Sequence, residues 1–269
     1  MNLRALLRRT LKSVLPNFLL RQVKAVYYAN AYEAFDETRE PDLVIVRRLV
    51  KTGDRVVDVG ANVGLYTVTL SRLVGNSGKV YSYEPVPDTY NMLTSVVKKL
   101  SLRNVETRGC ALSDSVGQGS MEVPLYEEGG ENLYQARLVS VNATRHRTCS
   151  VEMCTLDSLI GTTDTDRIDF MKIDVEGHEL QVIQGGRRVL EQFRPSLLIE
   201  VSGNPDERKS AAFALFEGLG KLGYIPYWFD GKQLRMRKKG DISINYFFLM
   251  SEHVKVFRGC QNEAPFGMI

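Results

Sequence analysis

The sequence predicts a doubly wound α/β fold on a mostly parallel sheet, and three observations carry that prediction. From residue 53 onward, short apolar runs alternate with longer segments of helical spacing, the pattern that builds strand–helix–strand units. The runs "DRVVDVG" and "SLLIEV" are near-continuously apolar, as parallel strands covered on both faces should be. The chain has 269 residues, 43% of them hydrophobic, enough for one large core or two small ones.

Each element follows from its residues. In 1–50, Leu3, Leu6, Leu7, Leu11, Val14 and Leu15 recur at helical spacing, with Pro16 as a break. "DRVVDVG" is the first strand, and "LYTVTLSRLV" follows as a helix. "KVYSYEP" (79–85) is a second strand that ends in an acid. In "PDTYNMLTSVVKKL", Leu93, Val96, Val97 and Leu100 form one helix face. "VETRGCALSD" (105–114) reads as a third strand, "RIDFMKIDVEG" (167–177) holds a fourth, and "SLLIEV" (196–201) is a fifth. Helical segments "HELQVIQGGRRVL" and "AAFALFEGLGKLGY" flank the fifth, and "YIPYWF" and "NYFFLM" are two late strands. Residues 115–155 interrupt the alternation and read as an inserted hairpin or loop. The basic stretch "DGKQLRMRKKGD" (230–241) reads as a solvated hairpin tip. The expected organisation is a helical extension over 1–50, the α/β domain over 51–257 and a tail over 258–269.

Composition narrows the function. The formal charge is +3, without the strong basic excess of a nucleic-acid binder, so no nucleic-acid partner is expected. The four cysteines, Cys110, Cys149, Cys154 and Cys260, lack metal-ligand spacing and read as free thiols in a reducing compartment. No window approaches the ~18 unbroken apolar residues of a membrane span. Arg8, Arg9 and Lys12 interrupt the apolar N-terminal run, so a signal peptide is not expected. The expected location is cytoplasmic. The basic N-terminal helix has two readings: packing on the main domain, or peripheral contact with an anionic inner membrane face.

The turn after the first strand raises the cofactor question. Gly60 and Gly64 bracket Ala61, Asn62 and Val63, which fails the G-x-G-x-x-G spacing of a dinucleotide site. Gly60 suits a sharp reversal, and Gly64 suits close approach of the following helix. Asp58 ends the strand. A carboxylate pointing into this turn would repel a diphosphate and attract a cation, by about 4 kcal/mol at ~4 Å and an effective dielectric of ~20. S-adenosylmethionine carries an ammonium and a sulfonium, so Asp58 favours it over NAD. Glu84 closes the second strand and suits a ribose diol. Ser113 and Asp114 are candidates for the adenine amino group, against a plain turn.

The blocks "VVDVGANVGLYT", "YEPVPDTYNML", "ALSD", "TLDSL", "IDFMKIDVEGHELQVIQGG" and "RPSLLIEV", taken in order, resemble the FkbM family of S-adenosylmethionine-dependent methyltransferases. The likeness runs from Asp42 to Met250. It implies a class I, Rossmann-like methyltransferase sheet of seven strands with the last antiparallel. It also implies O-methylation of a hydroxyl on a sugar, glycan or polyketide-like acceptor, and cofactor contacts at Asp58, Gly60, Asn62, Gly64 and Glu84.

A second acidic patch follows the fourth strand. Asp174, Glu176, His178 and Glu179 are close in sequence, and Glu200 ends the fifth strand. Methyl transfer to a hydroxyl needs alignment and removal of a proton. Asp174, Glu176 and His178 are the catalytic candidates, with Asp174 or His178 as the base. Alternatively, Asp174, Glu176 and Glu200 hold Mg²⁺. A purely structural role for Asp174 is a helix cap. Asp157 reads as a cap for a short helix, and Lys172 as a partner for an acid or a snorkelling side chain. The sequence therefore points to an O-methyltransferase. The rivals are a non-catalytic binding module on the same scaffold and an NAD-dependent oxidoreductase.

Overall fold

A computed structural model of the chain describes residues 17–36, 39–124, 136–139, 147–160 and 166–258. The residues that carry the helical pattern of the first 16 positions, and the tail from 259, lie outside this set, as does Cys260. Helix α1 (Asn17–Glu33) begins directly after Pro16, and α2 (Leu43–Leu49) follows. The central alternation is β1 (Arg55–Val59), α3 (Leu65–Val74), β2 (Lys79–Tyr83), α4 (Pro87–Lys99) and β3 (Val105–Arg108). Next come β4 (Ala111–Leu112) and, within the insertion, β5 (Gly117–Val123), β6 (Arg137–Val139) and β7 (Arg147–Cys154). Then come α5 (Leu156–Ile160), β8 (Phe170–Ile173), α6 (Glu179–Gly185), α7 (Arg187–Phe193) and β9 (Ser196–Glu200). The chain continues through α8 (Ala211–Lys221), β10 (Ile225–Phe229), β11 (Leu234–Met236), β12 (Asn245–Leu249) and α9 (Ser251–Arg258).

The main sheet has the order β11-β10-β12-β9-β8-β1-β2-β3. Strands β3, β2, β1, β8 and β9 pair in parallel, and β12 is antiparallel to both β9 and β10. The chain first builds outward from β1 to β3, then returns to place β8 on the other side of β1. The reversal point is thus the crevice beyond the carboxyl ends of β1 and β8, where open α/β sheets hold ligands.

Two expectations change. The third strand is split: β3 belongs to the main sheet, while Ala111 and Leu112 pair with Met153 and Cys154 of β7. The chain bends away at Gly109, which lies so close to the Tyr90 ring that an added Cβ would sit 3.1 Å from it. Strands β5, β6 and β7, within 115–155, accordingly join β4 in a second sheet, β4-β7-β5-β6, with Met121, Val123 and Val151 packed on Val86 and Ala111. The basic 230–241 segment is also more than a solvated tip. Its Leu234–Met236 pairs antiparallel with β10 as an eighth strand. Arg237 is ion-paired with Asp206 at 2.8 Å, and its guanidinium lies 5.3 Å from the Phe216 ring centre.

Strand periodicity separates two cores. Val57, Val59, Met171, Ile173, Leu197 and Ile199 face one side. Val56, Phe170, Leu198 and Phe247 face the other, against Leu43, Val46 and Leu70. Helix α1 buries Ala25 and Tyr32 against Val68, Met92 and Val96. Cys110 and Cys154 are buried free thiols, and Cys149 is partly buried. Among the described residues no helix is long and apolar enough to cross a membrane.

Candidate functional site

The turn after β1 is built by two constraints. The Gly60 and Ala61 amides both donate to the Tyr83 carbonyl at 3.0 Å, tying the turn to the end of β2. Gly60 has φ +76°, and a Cβ there would lie 1.8 Å from the Asp174 carbonyl oxygen. Glycine is therefore required sterically as well as conformationally, because the ends of β1 and β8 touch at this atom. Gly64 has φ +100°, and its Cβ would meet Leu93 Cδ1 at 2.8 Å, so it admits helix α4. Asn62 also has positive φ, at 49°. Its amide donates to Glu84 Oε2, and its Oδ1 accepts from the Val63 amide.

Two cavities open on either side of this turn. The first, about 210 Å³, lies between the turn, the end of β2 and the inserted sheet. Glu84 is on its wall, with Cys110, Ala111 and Leu112 beyond, and Asp174, Glu176 and Glu200 at the other end. The second, about 390 Å³, lies on the opposite side, beneath helix α1. Gly60, Asn62, Asp174 and Glu200 line both, so these four residues border the two cavities in common.

Glu84 is buried. Its Oε2 accepts the Asn62 amide and its Oε1 the Val86 amide, both at 2.9 Å. Each oxygen retains capacity for a further donor, as a ribose diol would supply. Burial pushes its carboxyl up to about 7, against the pull of those two amides.

Asp58 differs from expectation. It is fully buried and lines neither cavity. Because side chains alternate along a strand, it shares the face of Val56 rather than that of Val59. Thr67 Oγ1 donates to its Oδ2 at 2.6 Å, and its Oδ1 has no hydrogen-bond partner among the described residues. It stands in register with Lys172 on β8. Lys172 Nζ donates to Asp174 Oδ2 at 2.9 Å and lies 4.6 Å from the Tyr66 ring centre. Burial pulls the Lys172 ammonium down, but Asp174 and Asp58 outweigh it and hold it above its ordinary value. Burial likewise pushes the Asp58 carboxyl up, against Lys172 and Thr67.

The charge match with a cationic ligand thus rests on other acids. Glu84, Asp174, Glu176 and Glu200 line the first cavity, and among its described lining residues there is no lysine or arginine. Such a wall suits an ammonium and a sulfonium and repels a diphosphate.

The acids after β8 and β9 converge. One carboxylate oxygen from each of Asp174, Glu176 and Glu200 lies within 4.8 Å of the others. Burial, with Asp174 and Glu176 nearby, pushes Glu200 up to about 7. Glu176 sits at φ 54°, and burial followed by Asp174 raises its carboxyl too. Asp174 is not a helix cap: His178 occupies the N-cap position of α6, without a side-chain cap bond.

His178, Ser113 and Asp114 also differ from expectation. Ser113 Oγ is hydrogen-bonded to His178 Nε2 at 2.9 Å and to Asp114 Oδ1 at 3.2 Å. Neither Ser113 nor Asp114 lines the first cavity, where Cys110–Leu112 stand instead, and Asp114 is exposed. His178 lines the first cavity but not the second, and burial lowers its pKa. Asp157 caps a neighbouring helix rather than its own, accepting the Arg188 and Val189 amides of α7.

Residues 58–226 match the methyltransferase FkbM domain. The chain belongs to that family. Its main sheet has the parallel strands and the antiparallel late strand expected of it, and eight strands where seven were expected, the extra one being the edge strand β11. The chain is 24% identical over 155 residues to the hexuronic acid methyltransferase AglP of Haloferax volcanii, covering 58% of this chain and 59% of that protein. It is 30% identical over 154 residues to methyltransferase sdnD of Sordaria araneosa, covering 48% and 59%. The matched segments thus span about three-fifths of each relative. The crystal structure of an FkbM methyltransferase from Methylobacillus flagellatus KT aligns over 89% of this chain and 57% of that one, at 17% identity and a TM-score of 0.48.

The two turn glycines should respond differently. Gly60→Ala drives a Cβ into backbone and should cost more than about 3 kcal/mol. Gly64→Ala meets only the tip of a leucine and should cost about 1–2 kcal/mol of backbone strain. Denaturant unfolding of both variants measures the difference.

Proposed function

We propose that the protein is an O-methyltransferase that holds S-adenosylmethionine in the first cavity and an acceptor hydroxyl at the Gly60–Asn62–Asp174–Glu200 junction. The observation that carries this reading is the wall of four carboxylates beside the FkbM turn, unrelieved by any described lining lysine or arginine. The residues fit the cofactor. Glu84 offers both oxygens to the ribose, Cys110 and Leu112 offer apolar surface to the adenine, and Asp174, Glu176 and Glu200 face the cationic end. The cofactor supplies an electrophilic methyl group on a good leaving group.

The protein's share of the chemistry is alignment and proton removal. Glu200 is the proposed base. It lines both cavities, and a carboxyl poised near 7 is matched to proton transfer at neutral pH. Asp174, tied to Lys172, orients the hydroxyl. His178, engaged with Ser113, takes no part in proton transfer in this reading. Similarity to a hexuronic acid methyltransferase supports a sugar ring as the acceptor, and the charge of the site decides its substituents.

The convergence of Asp174, Glu176 and Glu200 is the observation that favours Mg²⁺. Three hard oxygen donors suit that ion, which would lower the pKa of a bound hydroxyl. Lys172 already supplies one buried positive charge to the same carboxylates, and we assign the compensation to it. Dialysis against EDTA should then leave the rate within about twofold; a loss restored by Mg²⁺ would return the three acids to a metal role.

Thermal shift separates the function classes. S-adenosylhomocysteine should raise the melting temperature and NADH should not, and stabilisation by NADH alone would sink the cofactor assignment. Transfer of a labelled methyl group to a panel of glycans and polyols separates an enzyme from a binding module. With an acceptor from that panel, kcat/KM should rise with pH through about 7 and then level off, because the carboxylate form of Glu200 is the base. Glu200→Gln should lower kcat by roughly 10²-fold or more and remove that limb. A limb that survives the substitution would assign the base elsewhere.

A further inference from the structure

The second cavity is larger than the first and shares its floor. Its roof is one face of helix α1. Tyr28 and Tyr32 are four residues apart and so stack along that face, with ring centres 5.9 Å apart and planes inclined by 33°. Tyr27 meets Tyr28 edge-on at 5.6 Å. All three line the cavity. A roof of tyrosines over a floor of hydrogen-bonding groups is the arrangement that takes a ring with an apolar face and a polar rim. The rim would meet Asn62, Asn245, Asp174 and Glu200.

Charge narrows the ligand further. Glu40, Asp174 and Glu200 line this cavity against a single described cation, Lys172. That ammonium is already held by Asp174. Burial raises the Glu40 carboxyl, against the pull of Lys172, and Glu200 is raised with it. Burial is the first cause of both shifts, so the charge argument rests on the lining itself: three carboxyl groups and one ammonium. An anionic ligand would add repulsion that no described residue relieves, whereas a neutral ring adds none and a cationic one relieves it.

We infer that the cavity beneath helix α1 is the acceptor site, and that it takes an uncharged or cationic polyhydroxyl ring stacked on the α1 tyrosines while refusing an anionic one. This rests on the proposed methyltransferase reading, because the floor shared with the first cavity is where a hydroxyl would meet the cofactor. The acceptor then lies beneath helix α1 and away from the inserted sheet. The insertion contributes Met121, Ala136 and Leu138 to the first cavity and no described residue to the second.

Three methyl glycosides of one ring size test it: methyl β-D-glucopyranoside, the corresponding 2-amino-2-deoxy glycoside, and the glucuronide. Binding of each is measured at saturating S-adenosylhomocysteine. The neutral and amino rings should bind, and the glucuronide should bind at least about tenfold more weakly. Tyr28→Ala and Tyr27→Ala should each weaken binding of the neutral ring by about tenfold and leave S-adenosylhomocysteine affinity unchanged. Tyr27 is 68% exposed, so its removal spares the fold even if loss of Tyr28 does not. The inference is overturned if the glucuronide binds as well as the others. It is also overturned if none binds while S-adenosylhomocysteine does, or if the tyrosine variants bind normally. Failure of S-adenosylhomocysteine itself to bind would instead remove the cofactor reading beneath it, and the acceptor assignment with it.

Discussion

A single buried ammonium makes this acidic site tenable. Lys172 lies between Asp58 on the neighbouring strand and Asp174 at the end of its own, with the Tyr66 ring beside it. A lysine without partners would lose its charge at such depth. Here two carboxylates hold the proton on, and the ammonium in turn lets acids accumulate around the ends of β8 and β9. Removing one member of such a group leaves an uncompensated buried charge, which costs far more than the pair contributes when intact. Asp58 therefore belongs to the support of the site. Its charge helps to keep Lys172 protonated, Lys172 donates to Asp174, and Asp174 borders both cavities.

The second constraint is steric. The Asp174 carbonyl occupies the space in which a Gly60 Cβ would lie, so β1 and β8 close on each other at the reversal point of the sheet. The same turn is tied to β2 through the Tyr83 carbonyl and the Glu84 carboxylate. Three strand ends are thereby locked around one small loop. A site that must align a hydroxyl with an electrophilic carbon gains from such rigidity, because small displacements are costly in rate.

The fold was largely legible in the residues. Near-continuous apolar runs such as "SLLIEV" marked buried parallel strands, and Leu93, Val96 and Val97 marked the face of α4, of which Leu93 and Val96 are fully buried. The misses have local causes. Ala111 and Leu112 look like a continuation of β3, but the chain turns at Gly109 against a ring that is distant in sequence. Leu234–Met236 is basic-flanked and short, and only an available edge on β10 makes it a strand. Within the site, the acids after β8 and β9 were visible as strand-end residues. Glu200 as the proposed base was not, because its pKa is raised first by burial and then by Asp174 and Glu176, 26 and 24 residues away in the chain.

By itself the sequence determined the alternation of strands and helices, the glycine-bearing turn and the stock of acids at strand ends, because these depend on periodicity and local backbone preference. Only the tertiary structure decided which way each acid points. Strand pleating turned Asp58 inward to Lys172 and left Asp174 at the crevice. Crossover topology brought Glu200 beside them, and the packing of α1 set a run of tyrosines over the opening. Those are long-range outcomes of packing, and no local spacing encodes them.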